Sequence, residues 1–131
     1  MTAVIERRGT DPATDPAGAG ATTTLAWHRI CPLAELEELW GEAALVAGRQ
    51  IALFRVDAAT VFAVDQADPA ADDACVMARG IVGSRGAHRT ISSPLHKEVY
   101  ALETGECLSG PGPALPAHPA RVVDGFVEVA L

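Results

Sequence analysis

Ser93-Pro-Leu-His-Lys-Glu-Val-Tyr-Ala-Leu-Glu-Thr-Gly-Glu-Cys-Leu-Ser-Gly-Pro111 is the stretch whose reading decides the fold. Glu98 to Leu102 and Glu106 to Leu108 read as two short strands across a Thr104-Gly105 turn, and a polar, Pro-containing loop with one imidazole precedes them. Just upstream, Thr90 to Ser92 reads as another strand. Downstream, Ala120 to Val123 and Phe126 to Val129 flank Asp124-Gly125, the sharpest hairpin signal in the chain, because a type I′ turn needs positive φ at both central residues.

Working toward the N-terminus, the same punctuation persists. Ala43 to Val46, Gln50 to Val56 and Thr60 to Val64 predict three consecutive antiparallel strands, joined across Ala47-Gly48 and Asp57-Ala58-Ala59. Trp27 to Ile30 predicts a first strand. Between them Leu33, Leu36 and Leu39 have helical spacing, so Pro32 to Trp40 predicts a turn or two of helix. Glu35, Glu37, Glu38 and Glu42 would then form its exposed face, able to dock on a basic patch. Residues 1–23 lack an apolar period and are expected to be a disordered tail before one β domain at 24–131. Asp65 to Arg89 shows little regular pattern, and so long a loop is where a site is expected.

Bulk properties narrow the function. With 131 residues, 49% of them hydrophobic, the chain can bury one core. Its net charge of −7 and lack of a basic cluster longer than Arg7-Arg8 argue against nucleic acid. No apolar window approaches a membrane span and no secretory signal pattern opens the chain, so a soluble, cytoplasmic protein is expected. Cys31, Cys75 and Cys107 match neither a disulfide framework nor metal knuckles and are expected to be buried thiols. Asp65, Asp68, Asp72 and Asp73 lack the alternating spacing, central Gly and closing Glu of a calcium loop. Gly80 to Gly86 matches no phosphate loop or dinucleotide fingerprint.

The opening stretch resembles the second cluster-binding loop of Rieske ferredoxins, Cys-Pro-x-His, with the hairpin that follows it. Val61-Phe-Ala-Val-Asp-Gln-Ala-Asp-Pro-Ala70 resembles the strand leading into that family's first loop. The resemblance spans about Trp27 to Val129. It implies an all-β, Rieske-like fold: an antiparallel β-sandwich or barrel with a cluster-loop subdomain. A Rieske centre needs two thiolates and two imidazoles at two loop tips. By the resemblance, Asp68 and Ala70 stand at the first loop's Cys and His positions, Ser93 at the second Cys position, and His96 alone is retained. Carboxylate and hydroxyl oxygens are hard donors, so these degenerate positions imply a chain with no cluster, no metal and no cofactor of its own.

Among cluster-free Rieske-like proteins, the chain is similar to the small subunit of bacterial NADH-dependent nitrite reductase. The matching stretches are Ile30-Cys-Pro-Leu, Gly48-Arg-Gln-Ile-Ala-Leu-Phe-Arg-Val, Ala78-Arg-Gly-Ile-Val-Gly, Ser92-Ser-Pro-Leu-His-Lys and Pro119-Ala-Arg-Val-Val-Asp-Gly. The first loop, Gln66-Ala-Asp-Pro-Ala-Ala-Asp-Asp, is smaller and more acidic than in those relatives. The resemblance implies a noncatalytic subunit supporting a large chain that carries FAD, an iron–sulfur cluster and sirohaem and reduces nitrite to ammonium. His96 and Lys97 are then candidate partner contacts, or His96 caps its loop. Lys97 with Arg79, Arg85 and Arg89 could form a small positive face. The alternatives are a Rieske-type ferredoxin carrying electrons and a free-standing binding module on the same fold.

Overall fold

The computed structural model describes Val4–Arg7 and residues 25–131. The chain enters through β1 (Val4–Arg7) and β2 (Trp27–Pro32), then makes the meander β3 (Trp40–Val46), β4 (Arg49–Arg55) and β5 (Val61–Asp65). A small hairpin, β6 (Ala67–Asp68) and β7 (Ala74–Cys75), leads to β8 (Ile81–Arg85), β9 (His88–Ser92) and β10 (Val99–Ala101). The last strands are β11 (Ala117–His118), β12 (Ala120–Val123) and β13 (Phe126–Ala130).

The central sheet has the order β1-β3-β4-β5-β11; the smaller sheets are β10-β9-β8, β12-β13-β2 and β6-β7. All pairs are antiparallel except β1 with β3. The two hairpin turns read from Gly dipeptides form as expected: φ is +50° and +82° at Ala47 and Gly48, and +52° and +79° at Asp124 and Gly125.

Both faces of the central sheet are covered, which explains the unbroken apolar run Ile51-Ala-Leu-Phe in β4. Ile51 and Leu53 point into one core with Ile30, Cys31, Leu36, Val127 and Val129. Ala52 and Phe54 point into a second core with Met77, Ile91, Tyr100, Leu102 and Leu115. A strand between two cores shows no polar alternation. The β12-β13-β2 sheet closes the first core and the β8–β10 sheet with its loops closes the second. On the outer side of the β12-β13-β2 sheet, Glu128 accepts from Arg29 and Arg121, which stack on Phe126 and Trp27.

One expectation is narrowed and three are corrected. Pro32 to Trp40 is not a helix beyond the single 3₁₀ turn Leu33–Glu35. The Leu33 carbonyl accepts the Leu36 amide at 3.0 Å and closes that turn, while the Arg55 guanidinium donates to the carbonyls of Leu33 and Leu36, at 3.5 and 2.9 Å, so the Leu36 oxygen needs no amide one helical turn on. Glu35, Glu37 and Glu38 are exposed on this extended segment, while Glu42 lies half-buried on β3. Secondly, Asp65 to Arg89 is largely ordered, holding β6, β7, a 3₁₀ turn at Met77–Arg79 and β8. Its elements are too short for periodicity to reveal. Thirdly, Glu106 to Leu108 contributes only an isolated bridge, Cys107 with Tyr100. Fourthly, of the three thiols only Cys31 is buried; Cys75 is exposed and Cys107 intermediate, and none forms a disulfide.

In the expected tail, Val4–Arg7 is a strand lying parallel to β3, whose outer edge it covers. The rest of that tail, 1–3 and 8–23, lies outside the described residues, as does residue 24 of the expected domain.

Candidate functional site

The two loops singled out by sequence meet at one buried carboxylate. β6 delivers Asp68 and the end of β9 delivers Ser93; both are buried, as is Tyr100 on β10. The Ser93 hydroxyl donates to Asp68 Oδ2. The Tyr100 hydroxyl donates to Asp68 Oδ1 at 3.2 Å, and the Ala70 amide donates to the same oxygen at 3.0 Å. Burial, followed by the charge of Asp68, drives the Tyr100 phenol well above its ordinary pKa. The group therefore stays a donor at any ordinary pH.

Each loop is also closed on itself. In the first, the Asp68 carbonyl accepts the amides of Ala71 and Asp73 at 3.1 and 3.0 Å. Gln66, buried beneath it, accepts the Val76 and Met77 amides on its carbonyl and the Ala78 amide on Oε1 at 2.7 Å. In the second, Ser93 Oγ accepts the Leu95 amide at 3.2 Å, while the Ser93 carbonyl accepts the Lys97 amide at 3.1 Å. Ser93, and not His96, thus caps this loop: the His96 side chain is exposed and makes no hydrogen bond among the described residues. Lys97, exposed beside it, has φ +61°.

These residues do not fit a two-iron, two-sulfide centre. Asp68 and Ser93 are hydrogen-bonded to each other, the Ala70 side chain has no atom that could ligate a metal, and His96 lies on the exposed turn. Among the described residues no three His, Cys, Asp or Glu side chains converge. Soft thiolate donors are missing from both tips.

The expected positive face is split. Arg79, closing its 3₁₀ turn, lies beside Gly80, which packs against the Ser92 carbonyl near Lys97. Arg85 sits at the other end of the β8–β9 hairpin and donates to the Leu108 carbonyl at 3.0 Å, and Arg89 is half-buried on β9. Sequence reasoning missed Gln66 and Tyr100 as parts of this node. For Tyr100 the signal existed, since a tyrosine inside an apolar strand needs a partner for its hydroxyl.

A second polar cluster pins the sheet edge. Asp65 accepts from Arg49 at 3.0 and 2.9 Å and pairs with His118 Nε2 at 2.8 Å, tying β4, β5 and β11 together. Burial raises the Asp65 pKa, but the Arg49 and then the His118 hydrogen bonds outweigh it and hold the carboxyl below its usual value. No helix among the described residues is long and apolar enough to cross a membrane.

Comparison with known proteins places this geometry. The model of the Rieske-like [2Fe-2S] domain family matches residues 26–130. The nitrite reductase (NADH) small subunit of Salmonella typhimurium is 32% identical over 104 residues, covering 79% of this chain and 95% of that protein. The crystal structure of an NADH-dependent nitrite reductase small subunit from Mycobacterium tuberculosis superposes with a TM-score of 0.78 at 40% identity, covering 83% of this chain and 97% of that one. The nitrite reductase [NAD(P)H] large subunit of Klebsiella oxytoca contains a stretch 35% identical over 112 residues. It takes in 86% of this chain, which spans only 12% of that larger protein.

Proposed function

Because the chain belongs to the Rieske-like [2Fe-2S] domain family and, within it, to the NADH nitrite reductase small subunits, we propose that it is the noncatalytic companion of the reductase's large chain. The large chain carries FAD, an iron–sulfur cluster and sirohaem, works in the cytoplasm and turns nitrite into ammonium; this chain alone turns over nothing.

The observation that carries the reading is the double match. One relative has this module as a separate small subunit, and another has it inside the large subunit itself. Joining two chains covalently raises the effective concentration of one for the other to roughly millimolar, which is useful when they work in contact. The loop chemistry supports a supporting role over electron transfer, because the residues at the two tips do not fit a cluster. The companion acts by linkage: a chain that binds only the folded, cofactor-loaded partner stabilises that state. His96 and Lys97, exposed on the second loop, are the proposed contacts.

The test is NADH-dependent nitrite consumption by the purified large chain with and without this one, alongside co-purification from nitrite-grown cells. Dependence on this chain supports the reading. Full activity of a large chain that never co-purifies with it refutes the reading.

A further inference from the structure

Among the described residues several cations are engaged. Arg29, Arg49 and Arg121 pair with carboxylates, and Arg55 and Arg85 donate to carbonyls. The Arg79 and Lys97 side chains, and that of Arg89 on β9, do neither among the described residues, and of these Arg79 and Lys97 are exposed. They flank one junction: Gly80, next to Arg79, packs on the Ser92 carbonyl, and the Lys97 amide donates to the Ser93 carbonyl. Two large apolar side chains share that junction, Ile81 at 73% exposure, paired with Ser92, and Leu95 at 51%. Across the Asp68–Ser93 bond, the first loop exposes Asp72 and Asp73.

We propose that these two loops form a dipolar docking platform for the large reductase chain: basic at Arg79 and Lys97, apolar at Ile81 and Leu95, acidic at Asp72 and Asp73. The Asp68–Ser93–Tyr100 node is the positioning element that holds its two halves in register. The partner surface has the complementary chemistry, carboxylates facing the second loop and guanidinium or ammonium groups facing the first, around an apolar hollow. Such complementarity fixes orientation and speeds encounter more than it adds affinity, and the buried apolar anchors supply the holding energy. The node matters because a preorganised surface does not have to be ordered on binding. This inference rests on the small-subunit reading and adds to it the surface and the residues that set it.

The experiment measures binding of the full chain to the purified large chain by isothermal titration at two salt concentrations. Lys97→Glu and Asp72→Lys each weaken binding about tenfold or more, and the wild-type affinity falls as salt rises. Leu95→Ala weakens it comparably, and Glu37→Lys, on the exposed segment after the 3₁₀ turn at Leu33–Glu35, leaves it unchanged. Ser93→Ala speeds hydrogen exchange at the Ala70 and Leu95 amides about tenfold or more and weakens binding. Wild-type affinity with Lys97→Glu, Asp72→Lys and Leu95→Ala overturns the platform while leaving the small-subunit reading intact. Loss of binding with Glu37→Lys alone moves the interface to the acidic segment and also overturns it. Failure of the wild-type chain to bind at all overturns both.

Discussion

Replacing Gly41 by alanine tests how the first loop is anchored. Gly41 lies on β3 facing the second core, and a Cβ placed there would lie 2.6 Å from Cε1 of Phe54 and still closer to the carbonyl oxygen of Ala78. Neither neighbour can yield cheaply. Phe54 is fully buried, and Ala78 belongs to the 3₁₀ turn whose amides are held by Gln66. Overpacking of this kind costs about 1–3 kcal/mol. For a domain near this size each kcal/mol lowers Tm by about 4–8 °C, so Gly41→Ala should melt roughly 4–24 °C below wild type. Calorimetry reads the midpoint, and hydrogen exchange at the Ala78 and Met77 amides locates the damage. An unchanged Tm with unchanged exchange would show that the turn does not press on the sheet, and the tight anchoring of the first loop would have to be abandoned.

Two further outcomes follow from the polar clusters. Tyr100 is the chain's one tyrosine, so phenolate absorbance reports it alone; no phenolate should form near the ordinary pKa of about 10 while the protein stays folded. Its folded pKa is raised, so the stability it contributes is complete below about 10 and declines above it, and normal titration of the native protein would contradict the buried node. Asp65 has the opposite sign. Its folded pKa is depressed, so its contribution is present above about 4 and is lost as pH falls further, and Asp65→Asn should flatten the acid limb of a stability–pH curve. An identical acid limb in the variant would mean that the Arg49 and His118 bonds contribute nothing to folding.

The legible parts of the fold were those set by local chemistry. Ala47-Gly48 and Asp124-Gly125 needed positive φ and fixed their hairpins, and the β3–β4–β5 meander followed from the apolar runs between turns. In the segment from Pro32 to Trp40 the leucine spacing allows a turn or two of helix, and only the turn Leu33–Glu35 forms, because Arg55, distant in sequence, donates to the Leu36 carbonyl and the chain runs on extended. The two-residue strands β6 and β7 are held by a register and by Gln66, neither of which leaves a periodic trace. At the site, the sequence pointed to Asp68 and Ser93 by position along the family pattern. It could not disclose that they bond to each other, because β6 and the end of β9 are brought together only by the packing of the second core.

The two loop tips hold a carboxylate–hydroxyl bond at the positions where a Rieske centre takes its ligands. Iron and acid-labile sulfide determined on the chain purified without exposure to air test it directly. A colourless, folded protein with far less than one iron per chain is the predicted result. Stoichiometric iron and sulfide, with visible absorption that bleaches reversibly on reduction, would contradict it.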